Sequence, residues 1–352
     1  MQNSKAYDCL IKQLNANGSE KMDGYYPEVM EEIYDWEREE VEDIIWDAFF
    51  NKNEIELAQF LPKLEKYDGI KALKVGKNAY AVRCFNEALK LQEDVEILEH
   101  LITAYTREDQ MEDAISIAGR LVEIEPENVP VLLMRANLNY VSEHYADVVA
   151  DCDRAITLEP ANATAYFLQG KAKKAAGDPL GAIVGLSQAI KLKEDFAEAF
   201  LLRAEVMLGV GDYNDGLEDA NKVVELVPEE ENAYLVRGRL YEAVGNSESA
   251  EKDYRYVTEL NPFNEQAYLQ LGSLYITRER PEEAIALFDE AIELKPDFAR
   301  AYSERGRARL MKGDKNGSLE DMKKALEFDP NGERKVDGTY SNFEDMYKNR
   351  PL

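Results

Sequence analysis

Apolar residues in the second half of the chain fall at helical spacing with unusual regularity. Tyr268, Leu271, Gly272 and Tyr275 come at steps of three, one and three, which puts them on one face of a helix. Arg278, Glu279 and Arg280 break the pattern with polar residues. Pro281 suits the start of a second helix, where its missing N–H costs nothing, and Glu282 and Glu283 suit the positive end of that helix. Ala284, Phe288 and Ala291 make a second apolar face, and Pro296 stops it. The pattern predicts a helical hairpin whose small residues, Gly272 and Ala284, let the two helices approach closely.

The hairpin recurs along the chain. Pro126, Pro160, Pro228, Pro262, Pro296 and Pro330 stand 34 residues apart, or twice that where Glu194 holds the slot. The glycine of the first helix, helix A, returns as Gly170, Gly238 and Gly306, with Ala136 and Ala204 in between. The alanine of helix B returns as Ala114, Ala182 and Ala250, and Val148, Gly216 and Ser318 stand in for it elsewhere. The helix A aromatic returns as Tyr166, Phe200, Tyr234 and Tyr302. Seven copies begin at Val95, Val129, Ala163, Ala197, Glu231, Glu265 and Ala299. A less regular copy spans about 62–94, through Gly69, Gly76, Ala81, Phe85 and Ala88, one residue out of phase. A period of this kind predicts stacked repeats, each burying its face against its neighbours.

This order of aromatic, Leu-Gly, Tyr, Ala, Phe, Ala and Pro on a 34-residue period resembles the tetratricopeptide repeat family, over roughly three quarters of the chain. The resemblance implies an all-α fold, a right-handed superhelical solenoid of stacked helix–turn–helix repeats. We expect an acidic N-terminal helical cap over 1–61, the solenoid over 62–330 and a C-terminal tail over 331–352.

The resemblance also implies a binding surface. In that family helix A lines the concave face through the second, fifth, ninth and twelfth positions of each repeat. Carried over, the fifth position gives Leu133, Phe167, Leu201, Leu235 and Leu269. The ninth gives Asn137, Lys171, Glu205 and Arg239, and the twelfth gives Tyr140, Lys174, Leu208 and Ile276. An apolar row flanked by changing polar groups offers anchors and register to an extended peptide or a partner helix. The same row would also serve packing between A helices. Some members of the family clamp a chaperone's terminal carboxylate with Lys at position five and Asn at position nine. No copy here has Lys at position five, so that clamp is not expected. An anion site around Lys171, Lys174 and Arg239 is an alternative, weakened by Glu205 and Glu242.

Four copies carry Arg just before the small helix A residue: Arg135, Arg203, Arg237 and Arg305. The same four carry Asp sixteen residues later: Asp151, Asp219, Asp253 and Asp321. Copies with Leu101, Gln169 or Leu271 have Ile117, Gly185 or Leu287 in that slot. This correlation predicts an Arg–Asp bridge joining the two helices of a repeat.

The net charge of −28 disfavours nucleic acid and anionic membranes and favours a basic partner, although it also serves solubility. Residues 28–47 hold ten acids and one Arg, together with Trp36 and Trp46. They suit a cap over the first repeat or a docking helix for a basic partner. The tail, with Phe343, Met346 and Tyr347, suits a cover for the last repeat, a frayed end, or a segment that docks on another copy. Cys9, Cys84 and Cys152 are far apart, without metal spacing, which fits a reducing compartment. The N-terminus lacks a long apolar run, so neither a leader nor a membrane span is expected.

His100 and His144 have no ligand partner at metal spacing, and no nucleophile, phosphate-loop or calcium-loop motif is present. The expectation is a cytoplasmic, non-catalytic interaction scaffold with no cofactor or metal, binding a protein or peptide. The alternatives are a self-assembling structural protein, associating through its N-terminal helix or its tail, and a regulatory subunit of an enzyme complex.

Overall fold

The computed structural model describes residues 54–329, so the N-terminal acidic segment and the C-terminal tail lie outside the described residues. The described chain is helical throughout, with sixteen helices and no strand among the described residues. It divides into two compact units that meet between Asp178 and Pro179.

In unit one the helices are α1 (Glu54–Lys74), α2 (Asn78–Leu91), α3 (Val95–Arg107), α4 (Met111–Ile124), α5 (Val129–Val141), α6 (Tyr145–Leu158) and α7 (Ala163–Ala175). In unit two they are α8 (Pro179–Leu192), α9 (Ala197–Val210), α10 (Tyr213–Leu226), α11 (Glu231–Ala243), α12 (Ser247–Leu260), α13 (Glu265–Thr277), α14 (Pro281–Leu294), α15 (Ala299–Met311) and α16 (Lys315–Phe328). Within each unit, sequence neighbours pack as antiparallel pairs, and each B helix also packs on the next A helix. The seven expected repeat starts are the first residues of α3, α5, α7, α9, α11, α13 and α15. The less regular copy is a helical pair too, and α1 runs straight through Pro62 and Gly69.

Close approach of A to B is governed by size at two residues sixteen apart. A Cβ added to Gly69, Gly238 or Gly272 would come within 2.4–2.6 Å of the ring of Phe85, Tyr254 or Phe288 respectively. Where helix A carries a larger residue, helix B carries a smaller one: Ile102 with Ala118, Ala136 with Cys152, Ala204 with Ala220, all buried. The volume of the slot is conserved while the side chains trade it, as close-packed interiors require. Cys152 is therefore a packing thiol, and burial pushes its pKa up to about 12.

The turn from A to B closes through one residue with positive φ. Gly76, Gly177, Gly211, Gly245 and Gly313 fill this place at no steric cost, whereas Asp109, Glu143 and Glu279 adopt it as non-glycines with φ near 60° (58°, 61° and 56°). The turn from B to the next A ends in a second recurring slot. Asp94, Asn128, Asn162 and Asn264 cap their A helices by accepting a backbone N–H, and Glu230 does the same. In the copies at Ala197 and Ala299 the slot holds Phe196 and Phe298, which make no cap bond and are buried instead.

Candidate partner-binding site

The Arg–Asp correlation is a set of two-pronged bridges. Arg135 donates through Nε and Nη2 to Asp151 at 2.8 and 2.5 Å. The same two atoms join Arg203 to Asp219 at 2.7 and 2.6 Å, Arg237 to Asp253 at 2.8 and 2.7 Å, and Arg305 to Asp321 at 3.0 and 2.6 Å. All four aspartates are buried. Pairing with Asp151 and with Asp253 raises the pKa of Arg135 and of Arg237.

The sequence reading missed the third arm of three of these guanidinium groups. Nη1 of Arg203 donates to Ser187 at 2.8 Å, that of Arg237 to Asn221 at 3.0 Å, and that of Arg305 to Asp289 at 2.5 Å. Each acceptor lies sixteen residues upstream, on the preceding B helix, so one Arg ties three helices together. The slot upstream of Arg135 is Gly119, which has no side chain to offer. Gln169 uses the upstream slot alone and donates to Asp153 at 2.5 Å. The signal was a polar residue sixteen places before three of the four Arg residues as well as after them.

These bridges help to orient the four A helices that carry them, α5, α9, α11 and α15, and so bear on what the other face of each presents. The second position of the repeat is exposed at Pro130, Thr164, Glu198, Asn232 and Arg300. The ninth is exposed at Asn137 and Arg239 and half-buried at Lys171 and Glu205. The fifth and twelfth positions are half-buried at Leu133, Tyr140, Phe167, Lys174, Leu201 and Leu208. Three expected site residues fall elsewhere. Leu235 (9% exposed), Leu269 (0%) and Ile276 (3%) are part of the core of unit two. There the apolar residue serves packing between helices, one of the two roles the pattern allowed.

The expected residues fall into two groups, one in each unit. In unit one, Leu133, Asn137 and Tyr140 on α5 and Phe167, Lys171 and Lys174 on α7 occupy the same register positions of adjacent A helices. The Lys171 ammonium sits 4.2 Å from the centre of the Tyr140 ring, a cation–π contact between the two helices. Asn137 turns its amide back onto the Leu133 carbonyl at 2.8 Å. In unit two, Leu201, Glu205 and Leu208 lie on α9 and Arg239 on α11. Glu242, flanking that row, accepts the hydroxyl proton of buried Tyr254, and burial pushes its pKa up.

Unit two holds a further polar cluster that no motif announced. Glu251 accepts from Tyr275 at 2.7 Å and Arg255 at 3.0 Å, and also from Arg278. Burial opposes ionisation of Glu251, but these three donors hold its carboxyl below the usual range. Arg255 also donates to the Tyr275 hydroxyl at 2.5 Å, so the cluster joins α12 to α13 and its following turn. It is an inter-repeat strut.

Among the described residues no helix is long and apolar enough to cross a membrane, and no group of three or more His, Cys, Asp or Glu side chains is placed to hold a metal ion.

A family model described as tetratricopeptide repeat matches residues 235–297 and 269–333. No curated protein matches. Among solved structures, a tetratricopeptide repeat protein from Parabacteroides merdae superposes with a TM-score of 0.59 at 18% identity, covering 68% of this chain and 94% of that one. MamA superposes with a TM-score of 0.42 at 28% identity, over 48% of this chain and 92% of that one. A tetratricopeptide repeat protein from Thermus thermophilus gives 0.44 at 24%, over 48% and 92%. The Parabacteroides likeness shows the shared fold.

Proposed function

We propose that the chain, part of which matches the tetratricopeptide repeat model, is a non-catalytic scaffold that holds a protein or peptide segment along the solvent-facing sides of its A helices. The observation that carries this reading is the graded exposure of those faces. In unit one Leu133 and Phe167 are half-buried apolar anchors beside the ninth-position residues Asn137 and Lys171, and in unit two Leu201 and Leu208 are the anchors, beside Glu205 and Arg239. Anchors of constant type supply affinity, and polar groups of changing type select register. The helices are set by core packing and by the Arg–Asp bridges before any partner arrives, so the partner bears most of the ordering cost. Division into a cap over 1–61, a solenoid over 62–330 and a tail over 331–352 belongs to this proposal, as does a cytoplasmic location. A net charge of −28 favours a partner with basic surface and speeds its encounter.

Affinity capture from native lysate tests the proposal. Wild type is run beside Leu133→Asp/Phe167→Asp and Leu201→Asp/Leu208→Asp, at low and high salt. The expected result is a partner that survives salt and is lost from one of the variants. Partners retained by both variants would remove the A-helix faces from consideration. Recovery of this chain alone, with a mass that rises with concentration in light scattering, would favour self-assembly instead.

A further inference from the structure

The repeat beginning at Glu231 exposes aromatic side chains that the repeat pattern does not require. Phe263 is 78% exposed and Tyr256 is 38% exposed. The other six regular copies hold Glu, Ala, Asp or Asn where Phe263 stands, and Arg, Gln, Lys or Glu where Tyr256 stands. Neither ring therefore serves the packing that the repeats share. Both are nevertheless held in place. The Phe263 N–H donates to Oδ1 of Asn261 at 3.0 Å. Nδ2 of Asn261 and Nδ2 of Asn264 both donate to Oε2 of Glu231, at 3.1 and 2.5 Å, which ties the turn carrying Phe263 to the start of α11. Tyr256 packs on Tyr234 with ring centres 4.4 Å apart. The hydroxyls of Tyr234 and Tyr256 both donate to the Pro228 carbonyl, at 2.9 and 3.5 Å. Leu260, one turn along α12 from Tyr256, and Val227, beside Pro228, extend the apolar surface and are also exposed. Exposed rings on a turn fixed by hydrogen bonds lose little freedom on contact, which suits them to anchor a partner.

The charge around this patch has one sign. Residues 225–231 hold four carboxylates and no cation, and Glu229 among them is exposed. Glu259, three residues after Tyr256 on α12, is exposed as well. We infer that the patch of Tyr256, Leu260 and Phe263 is a further interaction surface, and that its partner is a segment carrying Lys or Arg beside aliphatic or aromatic side chains. The apolar side chains take the anchor, while the carboxylates and the ring faces take the cations. A second copy of this chain matches poorly, because it would bring its own carboxylates against the same rim. None of the patch residues stands at the second, fifth, ninth or twelfth position of an A helix, so the inference goes beyond the proposed function.

Selection from a phage-displayed library of random dodecapeptides tests it. The library is depleted on the full-length chain carrying Tyr256→Gln/Phe263→Asp and then selected on wild type. Those two substitutions install what the repeat beginning at Ala163 already has in Gln188 and Asp195. Circular dichroism and the urea midpoint monitor the fold. We expect the enriched peptides to combine Lys or Arg with Leu, Ile, Phe or Trp. Synthesised, they should bind the double variant about tenfold or more weakly than wild type, although the variant carries one more negative charge. Phe263→Tyr keeps the ring and should keep the binding, whereas Glu229→Gln/Glu259→Gln should weaken it and reduce its salt dependence. No enrichment on wild type, enrichment of uncharged or acidic peptides, or equal binding by the double variant overturns the inference. A mass that rises with concentration in wild type but not in the double variant would make a second copy the occupant, and overturns the choice of a basic segment. Capture through the A-helix faces is tested at other residues, so the two readings fail separately.

Discussion

The repeats beginning at Glu265 and Ala299 share a fold and fill one shared slot with opposite chemistry. In the first, Leu271 is buried and Leu287 packs against the same apolar core. In the second, Arg305 spans three helices, bonded to Asp321 and Asp289, while Arg309 adds a second cation on Asp321 at 2.9 Å. Asp321 is 2% exposed. Neighbouring repeats of one protein thus show that this junction is stable either dry or fully paired. The half-paired state is the one neither repeat uses, because an uncompensated buried charge is costly.

That contrast predicts the largest effect. Asp321→Ala leaves Arg305 and Arg309 without their shared carboxylate and should cost about 3–5 kcal/mol in urea unfolding. Replacing both members, as Arg305→Leu/Asp321→Leu, converts the junction toward its neighbour and should recover a substantial part of the loss. If the double variant is as unstable as the single one, the equivalence of the two junctions fails.

The next comparison concerns volume. Gly272 faces the Phe288 ring, and an added Cβ would lie 2.6 Å from it, whereas the copy at Ala197 holds Ala204 against Ala220. Gly272→Ala gains helix propensity of about 0.5–1 kcal/mol but overpacks at about 1–3 kcal/mol. The net expectation is a destabilisation on the order of 1 kcal/mol, read as a lower thermal midpoint. A variant as stable as wild type would show that the ring moves freely, against the size-trading rule.

Caps come next. Asn264 accepts from the Ala267 N–H at 3.0 Å and donates to Glu231 at 2.5 Å, while Phe298 fills the same slot by burial. Asn264→Ala should cost about 1 kcal/mol, seen first as faster amide exchange at the start of α13. Unchanged exchange there would assign the slot to packing in every repeat.

Acid should act on the Glu251 strut. Its folded pKa is depressed, so its contribution is present above its unfolded value and is lost as pH falls through the folded one. Amide protection around Tyr275 and Arg278 should therefore drop on acidification, and Glu251→Gln should flatten that dependence. Persistence of the full drop in the variant would place its origin in other carboxylates.

Periodicity made the starts of seven A helices legible to the residue, because glycine, alanine and proline mark close approach and helix ends wherever they recur. The Arg–Asp bridges were legible because two slots varied together. Ser187, Asn221 and Asp289 were not, since three different acceptors do one job and only the geometry of the guanidinium reveals it. The candidate face was legible as a register but not as an exposure. Leu201 and Leu235 are the same residue at the same position, yet one is half-buried and the other belongs to the core, because neighbouring side chains decide how much of each is covered.

The smallest expected effect comes from a place where the sequence showed only a polar break. Glu279 adopts φ 56° in the turn between α13 and α14, where Gly245 and Gly313 occupy the equivalent place in the adjoining repeats. A non-glycine there holds its Cβ against its own carbonyl, a cost that glycine avoids. The Glu279 side chain is exposed, so removing it sacrifices no packing. Glycine gives back part of the gain through the freedom of its unfolded chain, which leaves a stabilisation of about 0.5–1 kcal/mol for Glu279→Gly. Asp109→Gly and Glu143→Gly should act the same way, since both are exposed and share the conformation. The three changes lie in separate turns, so their effects on the urea midpoint should add. A triple variant no more stable than wild type would mean that the glycine copies gain nothing at this turn, and that the difference between repeats here is one of sequence alone.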